Sequence, residues 1–131
     1  MNVQIDIKGT IDYAPEFFAW LTGTLRKSGH KVFIVSGEPD VGNSKTQVAK
    51  FLKKRKIAYD ALLLTPPDTI DSRKLPRGFN PAYRLFAHKL ISATENRIDV
   101  LFDDDADVAR LIHKHLPRVK LFRPMSEFLH G

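Results

Sequence analysis

Short β-rich apolar runs alternate along this chain with segments whose apolar residues return every three or four positions. The runs are residues 2–7, Lys31 to Val35, Ala61 to Leu64, Ile98 to Phe102 and Val119 to Phe122. Their length and continuity predict buried strands. Helical spacing predicts helices over Asp12 to Ser28, Ser44 to about Lys56, Asn80 to about Thr94, and through Val108, Leu111 and Ile112 to about His115. The first helix would present Phe17, Phe18, Trp20, Leu21 and Leu25, and the third Leu85, Phe86, Leu90 and Ile91. Pro15 and Pro81 suit first-turn positions, Asn80 an N-cap, and Gly29 a C-terminal stop. Ser44 and Gln47 have the spacing of a capping box, and one of Asp103, Asp104 and Asp105 is expected to cap the fourth helix. Met125 to Leu129 reads as a final helical turn.

Alternating strands and helices predict an α/β fold: a doubly wound, Rossmann-like, five-stranded parallel sheet flanked by helices. The 131 residues fit one domain, 1–131, without repeats or low-complexity tracts. In such a sheet the cleft opens beside the first strand, at the carboxyl ends, where the winding reverses. The long 65–97 connection is the natural crossing segment. It would place the fourth strand beside the first, so that Asp6 faces Asp103 and Asp104 across the cleft mouth. Converging carboxylates repel unless a cation lies among them. Oxygen ligands without thiols point to Mg²⁺.

Composition narrows the chemistry only a little. The net charge of +6 favours anionic partners: phosphorylated small molecules or macromolecules, or nucleic acid. Lys53-Lys54-Arg55-Lys56 falls at a predicted helix end and reads first as a solvated terminus. No aromatic residue interleaves it, so nucleic acid is not the favoured partner. Arg73, Lys74 and Arg77 in the irregular 65–80 stretch, with Arg84 beyond, could form a positive rim for a phosphorylated ligand. There is no cysteine, hence no disulfide framework and no thiolate metal site. No apolar run approaches the roughly 20 residues of a membrane span, and no signal-like segment opens the chain. A cytoplasmic location is the default expectation.

Four short motifs, in order on these elements, resemble those of the haloacid dehalogenase-like (HAD) hydrolase superfamily. Asp6-Ile7-Lys8-Gly9-Thr10 is similar to its first motif, D-x-D-G-T. Ser36 resembles the second-motif hydroxyl residue, Lys89 the third-motif lysine, and Asp103-Asp104 the fourth-motif acidic pair. The resemblance spans about residues 2–122. It implies a Mg²⁺-dependent phosphatase in which Asp6 is the nucleophile and forms an aspartyl phosphate. Ser36 and Lys89 would bind the transferring phosphoryl group, and Lys89 would also restrain Asp6. The ion would take Asp6, the Lys8 backbone carbonyl, and Asp103 or Asp104. The short segments after Thr10 and after strand three imply a core without a large cap, open to bulky substrates.

Lys8 departs from the pattern. It stands where the family has the general acid/base aspartate, and an alkylammonium group is a poor base at neutral pH. It could also pair with Asp6 or Asp103 and compete with the metal. Three outcomes follow: a phosphatase slowed at proton transfer, a different bond-cleaving reaction, or a degenerate module that binds a phosphate ligand or a protein without turnover.

Overall fold

The computed structural model describes residues 1–68 and 70–126. Five parallel strands form one sheet: β1 (Asn2–Ile5), β2 (Lys31–Pro39), β3 (Ala61–Thr65), β4 (Val100–Phe102) and β5 (Lys120–Phe122). Their spatial order is β3-β2-β1-β4-β5, so β4 lies beside β1 as the winding argument requires. Ile5 pairs with Ile34 of β2 and Phe102 of β4, which brings three carboxyl ends level. Among the described residues the α-helices are α1 (Pro15–Lys27), α2 (Ser44–Lys54), α3 (Ala87–Glu95) and α4 (Ala106–His115). None is long and apolar enough to cross a membrane.

The pleat divides the core into two layers. Val3, Ile5, Val32 and Ile34 pack with Phe18, Leu25 and Leu52 of α1 and α2. Leu101 and Val119 pack with Leu90, Val108 and Ile112 of α3 and α4. Gln4 faces the second layer, fully buried within β1, and its Nε2 donates to the Lys89 carbonyl at 3.2 Å. A polar strand residue thereby ties α3 to the central strand.

Several boundaries differ from the sequence expectation for local reasons. The 80–94 helix is two elements. Asn80 does cap a turn, accepting from the Ala82 N–H at 3.0 Å. That turn is a 3₁₀ segment (Pro81–Phe86), off-helical at Tyr83, and α3 begins only at Ala87. Leu85 is therefore 86% exposed rather than on the buried face. The Ser44–Gln47 capping box does not form. Asn43 is the N-cap, and Ser44 Oγ instead donates to the Pro39 carbonyl at 2.7 Å and accepts from Val41 N–H at 3.0 Å. β1 stops at Ile5, β2 runs on to Pro39, and β4 is shorter than expected. In α1 only Phe18 and Leu25 of the expected apolar stripe are buried, while Phe17 and Trp20 are exposed. At the end of α2, Arg55 lies over the Phe51 ring at 3.5 Å, in keeping with a solvated basic terminus. Of the expected 125–129 turn, residues 127–129 lie outside the described residues.

Candidate functional site

Asp6 is the first residue beyond β1. Its backbone N–H still donates to the Phe102 carbonyl at 2.9 Å, so the chain leaves the sheet with the carboxyl group held against β4. A wide turn follows over Ile7–Ile11, broken by extended Lys8 and by Gly9 at φ 78°. The glycine is required twice here. Its φ is left-handed, and a Cβ at this position would collide with the Asp104 carboxylate. Gly9 N–H donates to Asp12 Oδ1 at 2.6 Å, closing the turn. On the other side, Asp103 Oδ1 accepts from Asp105 N–H at 3.0 Å, and Asp105 caps α4 through the N–H groups of Asp107 and Val108. The three consecutive aspartates thus divide into two site residues and one cap.

Lys89 reaches between the two strand ends from α3. Its Nζ lies 3.0 Å from Asp6 Oδ1 and 2.7 Å from Asp103 Oδ2, and all three side chains are buried. One oxygen each of Asp6, Asp103 and Asp104 lies within 4.8 Å of the other two. Two of three neighbouring carboxylates therefore share one ammonium. Burial, then the Asp103 charge, raise the Asp6 pKa from 3.8 to about 7, against the pull of Lys89. Burial likewise raises Asp103. Burial alone would lower Lys89, but the two carboxylates outweigh it and its pKa is raised.

This oxygen-only, negatively unbalanced cluster suits a hard divalent cation. It also sets a pH dependence. Asp6 and Asp103 bind protons more tightly in the fold than in the unfolded chain. The Asp6 contribution to stability is therefore fully present below about pH 3.8 and is lost as pH rises through about 7, and Asp103 acts in the same direction. In chelator, the thermal midpoint of the wild-type chain relative to that of Asp6→Asn should fall between pH 5 and pH 8. Parallel pH profiles for the two proteins would contradict this.

The remaining expected residues are placed differently. Ser36 is buried within β2, at the register irregularity between Val35 and Pro39, where its Oγ accepts from Glu38 N–H at 3.1 Å. It makes no hydrogen bond to Asp6 or Lys89 among the described residues. Lys8 is exposed in the turn and enters no ion pair among the described residues. The expected competition of Lys8 for Asp6 or Asp103 is not seen, because Lys89 holds both carboxylates. The basic 65–80 loop does not rim this site. Arg73 pairs with Asp71 and Lys74 with Glu95 at the far end of α3. Lys74 and Arg84 instead line a separate cavity of about 800 Å³, with Leu63, Leu85, His88 and Ile91.

Other residues at the site carried no sequence signal. Ser126 Oγ lies 2.7 Å from the Gly9 carbonyl and 3.2 Å from Asp104 Oδ2, and Arg123 Nη2 donates to the Asp104 carbonyl at 2.9 Å. These contacts join residues more than 100 positions apart, or on a terminal segment without periodicity, and no local pattern marks them. Thr10 Oγ1 is buried without a hydrogen-bond partner.

No protein-family model and no curated protein matches the chain. Solved structures similar to it include two that contain Pnkp1/Rnl/Hen1. One is a chain of the Pnkp1/Rnl/Hen1 complex, at TM-score 0.65 and 19% identity, covering 93% of this chain and 45% of that one. The other is a chain of the Pnkp1/Rnl/Hen1 RNA repair complex, with the same score and identity, covering 93% and 41%. At this identity the likeness concerns the fold. The chain spans less than half the length of either neighbour.

Proposed function

We propose that this chain is a HAD-like, Mg²⁺-dependent phosphatase core without a large cap, slowed at its proton-transfer steps by Lys8. The observation behind this reading is the convergence of Asp6, Asp103 and Asp104 at adjacent strand ends, with Lys89 bridging the first two. Asp6, the Lys8 carbonyl, and Asp103 or Asp104 would hold Mg²⁺, which when bound neutralises charge on the transferring phosphoryl group. A carboxylate oxygen of Asp6 attacks phosphorus, the bond to the leaving oxygen breaks, and an aspartyl phosphate forms. Lys89 keeps that carboxylate oriented and ionised. Ser36 Oγ, on the neighbouring strand, donates to a phosphoryl oxygen. The leaving oxygen takes a proton from the Lys8 ammonium or from solvent.

Hydrolysis of the intermediate needs a base for the attacking water. Lys8 brings no carboxylate to this step, and an alkylamine side chain is a poor substitute. The second half-reaction is then the slow one. Lys8→Asp should raise steady-state hydrolysis of an aryl phosphate by about 10²-fold, the low end of what a positioned acid–base group supplies. Unchanged or lower turnover in a folded variant would contradict this assignment.

The substrate is a phosphorylated small molecule or macromolecule. The similar chains belong to an RNA repair complex, which adds phosphorylated RNA ends and protein partners to the classes worth testing. The alternative is a degenerate module that binds a phosphate ligand or a protein without turnover, and Lys8 is the observation that favours it. A phosphatase screen with and without Mg²⁺ separates the two. Mg²⁺-dependent release of phosphate supports the enzyme; absence of release from every substrate class favours the binding module.

A further inference from the structure

Aromatic rings crowd the side of the sheet next to the acidic cluster. Phe102, immediately before Asp103, stacks on Phe122 of the edge strand β5, with centroids 5.1 Å apart and planes 20° from parallel. Its other side meets Phe18 edge-on at 5.5 Å. Phe18 contacts Phe17 at 5.1 Å, and Phe17 contacts Trp20 at 6.0 Å. The ring contacts run from β5 through buried Phe18 to the outer surface of α1, and the rings at both ends are exposed. Phe122 is 53% exposed, Phe17 48% and Trp20 63%.

A solitary exposed ring needs no explanation, but a contiguous set does. On this side α1 packs on β4 through Phe18 and Phe102, while Phe122 of β5 belongs to neither core layer. The row is fixed to the backbone of the site: the Phe102 carbonyl accepts from Asp6 N–H, and the Phe122 carbonyl from Asp103 N–H at 3.2 Å. Consecutive Cα atoms are about 3.8 Å apart, so the rings begin within one residue of the carboxylates. Basic residues lie beside Phe122 in the chain: exposed Lys120 two positions before it on β5, and Arg123, which donates to the Asp104 carbonyl, just after it. The surface thus offers flat aromatic faces and positive charge together, the combination that holds a single strand by base stacking and backbone attraction.

We infer that Phe122, Phe17 and Trp20 form a stacking surface for the bases of a single-stranded nucleic acid whose phosphorylated end enters the Asp6 site. The first base extends the Phe102–Phe122 stack beyond its exposed ring. The placement of the phosphorylated end rests on the phosphatase reading; the stacking does not. The absence of a large cap suits this ligand, because a polymer cannot be enclosed.

The test is a titration of the full chain, in chelator, with an unphosphorylated single-stranded oligoribonucleotide, so that turnover plays no part. Trp20 is the only tryptophan and reports directly by fluorescence. Expected are quenching on binding, affinity that falls steeply with salt, and weakening by about tenfold in Phe122→Ala and in Trp20→Ala. For Trp20→Ala the anisotropy of a labelled oligonucleotide replaces the fluorescence readout. Thermal midpoints near that of wild type confirm that the variants fold, as exposed positions should. For Phe122, substitution by tyrosine should restore binding, because it restores the ring. Absence of binding at low salt, or binding that neither alanine variant weakens, overturns the proposal. So does self-association of the chain that both variants abolish, which would make this surface a protein interface. Binding without Asp6-dependent hydrolysis would leave the stacking surface standing and remove the phosphatase reading.

Discussion

Lys89→Met should destabilise the chain by about 3–5 kcal/mol, the usual cost of removing one partner from a buried ion pair. The thermal midpoint should fall on the order of 10–20 °C. Methionine preserves most of the volume of the lysine stem, so packing against α3 changes little. What is lost is the ammonium 3.0 Å from Asp6 and 2.7 Å from Asp103. Two buried carboxylates then face each other without a counter-charge, and each is already disfavoured in its ionised form by burial. The loss should be smaller at pH 5, where Asp6 holds its proton, than at pH 8. Adding Asp103→Asn to Lys89→Met should recover part of the stability, because one of the stranded charges is removed. A single variant as stable as wild type at pH 8 would mean that the pair does not hold the strand ends together.

Asp6→Asn should have the opposite profile. Asparagine has the same shape and can still accept from Lys89, and it removes one of three converging negative charges. The folded protein at pH 8 should be at least as stable as wild type. Turnover of any phosphorylated substrate should nevertheless fall at least about 10³-fold, because a carboxamide does not supply the attacking oxygen. The pairing of lost activity with retained stability distinguishes a nucleophile from a structural carboxylate. Were Asp6 only a strand-end cap, activity would survive the change.

The sequence already contained most of what positions this site. Continuous apolar runs such as Lys31 to Val35 identified central strands, and the long connection after β3 implied that β4 returns beside β1. That inference alone placed Asp6 opposite Asp103 and Asp104, as they are found. The third site residue, Lys89, followed from its place in the motif order, but its bridging of both carboxylates did not. That contact depends on the register of α3, which Gln4 fixes through a hydrogen bond between side chain and backbone that no periodicity encodes. Where the outcome differed, a local pattern was overruled by contacts outside the element it belonged to. The Ser44–Gln47 spacing was right for a cap, yet Ser44 found the Pro39 carbonyl at the end of an extended β2. Helical spacing in α1 suggested five core residues, yet the sheet beneath it had room for few of them and left Phe17 and Trp20 outside. No aromatic residue interleaves the basic run at 53–56, and the ring contacts that lead from Phe17 through Phe18 and Phe102 to Phe122 join three separate elements that no local pattern links.

Asp6 as nucleophile and Lys8 as the cause of slow hydrolysis together require an intermediate that accumulates. The decisive measurement is a rapid-mixing assay of aryl phosphate hydrolysis with Mg²⁺, followed by the intact mass of the quenched protein. Expected is a burst of one phenol per chain, then slow turnover, with one phosphoryl group on the wild-type protein and none on Asp6→Asn. Linear release without a phosphorylated chain, or a burst that persists in Asp6→Asn, would contradict it.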